Sequence, residues 1–249
     1  MIIDHSSPAD IPQLRQLWKQ AFGDTDAFLD DFFRLGYEPE RSLCVRQEAQ
    51  ILAAMYWFDC QLEGRKLAYI YAVATDAAFQ GRGICTAMMD AAHAQMKEQG
   101  YAGALLVPCG ESLFRFYEKM GYNAFGGLKK LQTEAGEPTS LQEISGKQYA
   151  QLRRQYLPEG AVLQEGALLD LLATQAQFYQ GADFLLCCVA EDDRLTGLEF
   201  LGQGDLGGIL GALGCKEGCF RMAGNAPFAM YFPLQEDAPT PRYFAFALD

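Results

Sequence analysis

The chain has 249 residues, of which 50% are hydrophobic and 21% are charged, and its formal net charge is -12. This length and composition allow one large or two small globular domains and exclude a disordered or fibrous chain. The acidic charge argues against nucleic acid as a partner, and the sequence has neither a signal-peptide pattern nor an apolar run of membrane-spanning length, so we expect a cytoplasmic protein with no membrane partner.

The N-terminal part of the sequence predicts two helices followed by three antiparallel strands. Ser7 and Pro8 mark the start of the first helix, and Gly23 ends it. A second helix is expected between Gly23 and Gly36. The strands are expected at residues 42–48, 51–62 and 66–75. The third of them is apolar almost throughout, which is typical of a central strand that is buried on both faces.

A longer helix comes next. Apolar residues at helical spacing begin at Ile84, and Gly100 provides the stop. The elements that follow are expected to be a strand, a short helix and a strand, at residues 101–109, 111–122 and 124–135. This order predicts an α+β fold of mixed type, in which helices flank a mostly antiparallel central sheet.

Residues 136–139, with the sequence Gly-Glu-Pro-Thr, break the pattern and predict a boundary between a domain at 1–135 and a smaller α+β domain at 140–249. The second domain is expected to contain helices at 146–156, 165–175 and 206–213, strands at 183–190 and 195–201, and three further strands that end the chain. Its strand, glycine-rich turn and helix echo residues 67–107, so we hypothesise a truncated internal repeat. We expect this region to shape an acceptor pocket, to form a homodimer, or to do both.

The eight cysteines predict buried packing rather than a metal site. Most of them, such as Cys44 and Cys187, lie in apolar runs typical of strands. Cys215 and Cys219 are four residues apart but have no second pair, and the chain has two histidines. We therefore predict no metal.

The junction between the third strand and the long helix contains Gly81, Arg82 and Gly83. Such a junction is either a tight turn or a cradle for phosphates. The first turn of a helix has N–H groups without intrahelical partners and a positive dipole end, and glycines allow close approach of an anion. Arg82 or Thr86 could add donors. The segment does not match the dinucleotide-binding fingerprint, because position 86 is Thr where that motif has Gly. It does not match the P-loop motif either, because no Gly-Lys-Ser/Thr follows.

The neighbouring motifs decide between the two interpretations. Residues 80–85 read Gln-Gly-Arg-Gly-Ile-Cys, and residues 116–122 read FYEKMGY. Together they resemble the GNAT superfamily of N-acyltransferases, whose signature is Q/R-x-x-G-x-G/A at the start of a long helix. Cys85 stands where Gly or Ala is usual. The resemblance extends over residues 1–130.

The resemblance implies a GNAT fold and an enzyme that transfers an acetyl group from acetyl-CoA to a primary amine of a small molecule or peptide. The backbones of Val73 and Thr75 would contact the pantetheine arm. Tyr117 would donate a proton to the leaving thiolate. The loop residues implied to hold the pyrophosphate are Gln80, Gly81, Arg82, Gly83, Ile84, Cys85 and Thr86.

Two positions depart from the family pattern. Tyr69 stands where a glutamate base is often found, and Gly110 stands where an Asn is usual. The base could then be water, Asp59, a group of the second domain, or the carboxylate of Asp249. The alternative function is a non-catalytic acyl-CoA-binding or regulatory protein on the same scaffold. A larger acyl donor also remains open.

Overall fold

A computed structural model describes residues 1–247 of the chain. Its helices are α1 (Ile11–Phe22), α2 (Asp26–Asp31), α3 (Ile84–Glu98), α4 (Glu111–Lys119), α5 (Gly146–Tyr156), α6 (Ala167–Leu172) and α7 (Leu206–Leu213). Its strands are β1 (Ile2–Asp4), β2 (Ser42–Gln47), β3 (Gln50–Leu62), β4 (Arg65–Thr75), β5 (Gly103–Leu106), β6 (Asn123–Phe125), β7 (Leu128–Glu134), β8 (Gln142–Ile144), β9 (Leu163–Gln164), β10 (Gln177–Gln180), β11 (Phe184–Glu191), β12 (Arg194–Gly202), β13 (Glu217–Ala223) and β14 (Ala229–Pro233). Within this part of the chain, no helix is long and apolar enough to cross a membrane.

The chain forms two compact units. The first contains residues 1–123 and 230–239, and the second contains residues 124–229 and the segment from Thr240. The predicted boundary at 136–139 falls inside the second unit. There, the Gly136 N–H donates to the Gly207 carbonyl at 2.8 Å and the Thr139 N–H donates to the Gly208 carbonyl at 3.0 Å. The Gly-Pro cluster is therefore a turn packed on α7 rather than a linker.

The first unit is built on one mixed sheet with the strand order β1-β2-β3-β4-β5-β14. β4 and β5 are parallel and are joined by α3, whereas the other neighbours are antiparallel. One face of the sheet packs on α3 and α4 through residues such as Met88 and Tyr117. Aromatic side chains from α1 and the turn after α2, among them Trp18 and Phe32, cover Tyr56 on the other face. The sheet is thus buried on both faces, as the apolar β4 predicts.

The second unit is built on a sheet with the order β7-β13-β12-β11-β10-β8. Its elements β8, α5, α6, β10, β11, β12, α7 and β13 follow the order of β1, α1, α2, β2, β3, β4, α3 and β5. The pairings correspond as well. β8 pairs with β10 as β1 pairs with β2, and β12 is parallel to β13 across α7 as β4 is to β5 across α3. This is the order that an internal repeat would produce.

The last segment differs from the expectation. Residues 243–247 form no strand, and Tyr243 makes an isolated bridge to Ala161. The apolar run there reflects burial instead of a place in a sheet, since Phe244, Ala245 and Phe246 are all buried. A short buried apolar run is a weak strand signal for this reason.

Candidate active site

The candidate site lies where the two parallel strands of the first unit separate. The paired register of β4 and β5 ends at Tyr69 opposite Leu105. β5 ends at Leu106, whereas β4 continues to Thr75. Because ligands bind preferentially outside the carboxyl ends of parallel strands, the gap beside residues 70–75 is a candidate cleft.

Backbone groups of Val73 and Thr75 face this gap. The Asp76 N–H donates to the Leu52 carbonyl of β3 at 2.8 Å. Since alternate residues of an antiparallel strand bond the same neighbour, Ala74 also faces β3, and the N–H and C=O groups of Val73 and Thr75 point away from it. These backbone groups therefore point in the direction that contacts to a ligand in the gap would require.

A β-bulge interrupts β4 at the same place. The register slips between Ala54 and Tyr56 of β3, so Met55 stands opposite both Ala72 and Val73. Ala72 has a φ of 49°, in the left-handed region. A non-glycine residue there costs about 1–2 kcal/mol, and the extra residue bends the strand. The bulge therefore turns β4 away from its neighbour where the cleft begins.

The glycine loop leads into an open helix start. Gly81 and Gly83 have φ values of 72° and 75°, and a Cβ added to either would meet no atom within 4 Å. The first intrahelical bond of α3 runs from the Ala87 N–H to the Gly83 carbonyl at 3.0 Å. The N–H groups of residues 84–86 have no intrahelical partner, and glycine as the N-cap offers them no side chain. The open space, the N–H groups and the helix dipole together suit an anion such as pyrophosphate.

Two loop side chains fold back on their own segment. The Gln80 side chain donates from Nε2 to the Thr75 carbonyl at 3.1 Å and so ties the loop to the end of β4. Arg82 donates to the Ala78 carbonyl at 3.1 Å, and its guanidinium lies 5.1 Å from the centroid of the Phe79 ring. Arg82 is thus turned toward the turn before the loop, and the cradle is formed by backbone.

Cys85 and Tyr117 lie beside the loop on the α3–α4 face of the sheet. Cys85 is half-buried against the core cluster that contains Tyr117, and burial raises the pKa of its thiol to about 11. Tyr117 is 6% exposed. Burial, and second the nearby Cys85, raise the pKa of Tyr117 well above its ordinary value of 10. Both groups are therefore protonated at neutral pH.

A family model described as an acetyltransferase (GNAT) domain matches residues 3–125. The chain carries a GNAT acetyltransferase domain. The matched range includes the gap, the glycine loop, α3 and α4. No curated protein matches the chain.

Solved structures share the fold of the GNAT domain and of the rest of the chain. A GCN5-related N-acetyltransferase from Anabaena variabilis is 14% identical, with a TM-score of 0.75 over 94% of this chain and 73% of that one. One from Kribbella flavida is 14% identical, with a TM-score of 0.71 over 92% and 70%. A probable N-acyltransferase from Enterococcus faecalis is 17% identical, with a TM-score of 0.71 over 94% and 72%. At these identities the likeness shows the fold.

The GNAT domain has no acid at the usual base position on β4. Tyr69 stands there and is 2% exposed. Gly110, in the place of the usual Asn, has a φ of 90° before α4, and a Cβ there would meet no atom within 4 Å. Both departures leave side-chain roles of the family unfilled at these positions.

Asp59, another candidate base, lies close to the usual base position but already has charged partners. It pairs opposite Ala68, one residue along β3 from Phe58, which is the partner of Tyr69. Its carboxylate also accepts a hydrogen bond from Tyr101 at 2.5 Å and forms ion pairs with Arg41 at 3.2 Å and Lys66 at 3.5 Å. The other candidate carboxylate, that of Asp249, lies outside the described residues.

The sequence predicted no role for three residues that lie near the site. Ala72 forms the bulge, and His93 and Tyr122 form a buried hydrogen bond at 2.6 Å beside Tyr117. No pattern of residue types marks an alanine in the left-handed region. His93 had a weak signal, because a histidine on the apolar side of a helix needs a polar partner when it is buried.

Proposed function

We propose that the GNAT domain transfers an acetyl group from acetyl-CoA directly to a primary amine. The observation that carries the proposal is the open first turn of α3, with Gly81 and Gly83 beside it, at the end of the gap between β4 and β5. The N–H groups of residues 84–86 would hold the pyrophosphate, and the backbones of Val73 and Thr75 would hold the pantetheine arm. The empty space at both glycines fits the approach of a phosphate group.

Tyr117 would act as the general acid. The amine nitrogen attacks the acetyl carbonyl carbon, a C–N bond forms, and the C–S bond breaks with its electron pair on sulfur. The ammonium form of the amine first loses a proton to water, which frees its lone pair for the attack. The Tyr117 hydroxyl gives its proton to the thiolate, the amine nitrogen loses its second proton to water after the attack, and water returns a proton to the Tyr117 phenolate. Burial raises the pKa of Tyr117 and so makes the phenol a weaker acid, and desolvation of the thiolate in the same site would make it a stronger base.

The acceptor is an amine that is cationic in solution. The net charge of -12 favours attraction of a polyamine, an aminoglycoside-like sugar or a peptide amine over that of an anion. Asp59 already has cationic partners, so the charge of the whole surface carries this preference rather than one residue.

The Tyr117→Phe variant tests the proposed acid. We expect its kcat to fall roughly 100-fold, because general acid catalysis contributes about 10²–10⁴-fold, while its Kd for acetyl-CoA stays within about twofold. Turnover is measured as the mass of acetylated product over a panel of amines, since accessible cysteines of the chain, such as the exposed Cys109, would react with thiol reagents. Unchanged kcat in the variant would refute the assignment.

The second candidate is an acyl-CoA-binding protein without catalysis, favoured by Tyr69 and Gly110 at two positions of the family pattern. Thermal shift with acetyl-CoA, longer acyl-CoAs and free CoA measures binding separately from turnover. A shift without turnover on any amine would support this second candidate. The absence of a shift at millimolar acetyl-CoA would exclude both candidates.

A further inference from the structure

His93 of α3 and Tyr122, which follows α4, form a buried pair behind Tyr117. They are 8% and 2% exposed, and the Tyr122 hydroxyl lies 2.6 Å from His93 Nε2. The Phe232 ring stacks on His93 with the centroids 4.4 Å apart and the planes at 8°. The imidazole on α3 is thus held by the segment that follows α4 and by strand β14.

Tyr122 contacts Tyr117 through both its backbone and its ring. The Tyr122 N–H donates to the Tyr117 carbonyl at 3.1 Å, and the two rings meet edge to face at 5.6 Å and 63°. Phe116 packs edge-on against Tyr117 at 5.1 Å and 73°. Tyr117 is therefore held by two aromatic neighbours, and the polar anchor of one of them is His93.

The chemistry of the pair gives its hydrogen bond a direction. Burial lowers the pKa of His93 to about 4, against the opposing effect of Asp90, so the imidazole is neutral at pH 7. Burial, with the nearby Tyr117 and Cys85, keeps the pKa of Tyr122 well above its ordinary value. A phenol is a stronger acid than a neutral imidazole N–H, so Tyr122 donates and Nε2 accepts. The Tyr122 proton is then committed to His93 and is not donated to Tyr117.

We propose that His93 and Tyr122 are positioning residues that hold the Tyr117 hydroxyl where it can protonate the leaving thiolate. The proposal rests on the function proposed above for Tyr117. Without the hydrogen bond to His93, the Tyr122 ring can move. Tyr117 then packs against a neighbour that is no longer fixed. A displacement of about 1 Å at a catalytic group can cost about 100-fold in rate. Because the backbone bond and Phe116 remain, we expect a loss of roughly fivefold to tenfold.

Steady-state kinetics of four variants test the positioning role. Tyr122→Phe and His93→Leu remove the bond, whereas His93→Gln keeps an acceptor in the same place. Tyr101→Phe is the matched control, because it removes a buried hydroxyl that donates to Asp59 in the same unit, far from the loop. We expect kcat to fall roughly fivefold to tenfold in the first two variants and to stay within about twofold in the others, with the Kd of acetyl-CoA unchanged in all.

Nitrogen-15 NMR of the imidazole tests the bond without turnover. The chain has two histidines, so a His5→Gln variant assigns the spectrum. The proposal requires a neutral tautomer protonated at Nδ1 that becomes mixed in Tyr122→Phe; a tautomer protonated at Nε2 would overturn it. Unchanged kcat in Tyr122→Phe and His93→Leu, with Tyr117→Phe impaired, would overturn the positioning role alone. Full turnover of Tyr117→Phe would overturn the proposed acid and the positioning role together.

Discussion

Substitution of Cys85 tests whether the loop before α3 binds acetyl-CoA through its backbone alone. Its thiol is half-buried against the core and protonated, whereas its N–H belongs to the open first turn of α3. We expect Cys85→Ala to keep the Kd of acetyl-CoA within about twofold, because the backbone donor remains. Isothermal titration measures the affinity, and urea unfolding of the same variant controls for stability. A tenfold loss of affinity without a loss of stability would mean that the thiol itself contacts the ligand.

His93 makes stability depend on pH. Its pKa is about 4 in the folded chain against 6.5 for the free side chain. Above pH 6.5 both states are neutral and the stability is fully present. As pH falls toward 4, the unfolded state binds the proton first, so stability decreases. We expect a loss of about 2 kcal/mol between pH 7.5 and pH 5.

Urea unfolding at the two pH values measures this loss. His93→Gln cannot titrate, so the difference between the wild type and this variant isolates the contribution of His93 from that of the carboxylates. Equal pH dependence of the two proteins between pH 7.5 and pH 5 would contradict the assignment of a buried neutral imidazole.

Among the elements, the bulge of β4 links strand geometry to ligand binding. Ala72 holds a φ of 49°, which a β-branched residue adopts with more strain than Ala or Gly. We expect Ala72→Val to lose about 2 kcal/mol of stability or to shift the bulge, and to weaken acetyl-CoA binding at least roughly tenfold. Ala72→Gly is the control and should bind normally. Tight binding of acetyl-CoA by both variants would contradict the prediction that the bulge shapes the cleft.

The elements of the first unit were predictable where the pattern is strong. The expected helix from Ile84 matches α3 (Ile84–Glu98), and the expected third strand at 66–75 matches β4 (Arg65–Thr75), because helical spacing and a continuous apolar run are local signals. The short edge strand β1 (Ile2–Asp4) was not predicted. Three residues carry too little pattern, and pairing with β2 creates this strand.

The candidate site also has parts that the sequence predicts and parts that it does not. The glycine loop could be predicted, because Gly81 and Gly83 adopt the positive φ values that their residue type allows. The bulge at Ala72 could not, because its register is set by β3 and no residue type announces it. The contact of Arg82 with Phe79 is local, three residues back along the chain, but no pattern of residue types indicates it. The roles of the loop residues and of Tyr117 stay predictions.

For the whole molecule, the two units share an element order but differ where the phosphate cradle would form. In the first unit, Gly83 leaves the start of α3 open. At the start of α7, the Asp205 carboxylate accepts a hydrogen bond from the Gly207 N–H at 3.1 Å and brings a negative charge to the equivalent position. β13 is followed by β14, whereas β5 is followed by the helix that carries Tyr117. The second unit thus has the order of a repeat without the features that suit acetyl-CoA.

We therefore expect the chain to bind one acetyl-CoA, at α3. The charge at the helix start decides this, since a carboxylate repels phosphate where a bare N-cap attracts it. Isothermal titration should give one equivalent per chain. Gly83→Asp should abolish binding, while Gly83→Asn, which carries a similar backbone cost at positive φ but no charge, should retain most of it. Two equivalents, or one equivalent that survives Gly83→Asp, would place acetyl-CoA in the second unit and overturn the assignment to the glycine loop.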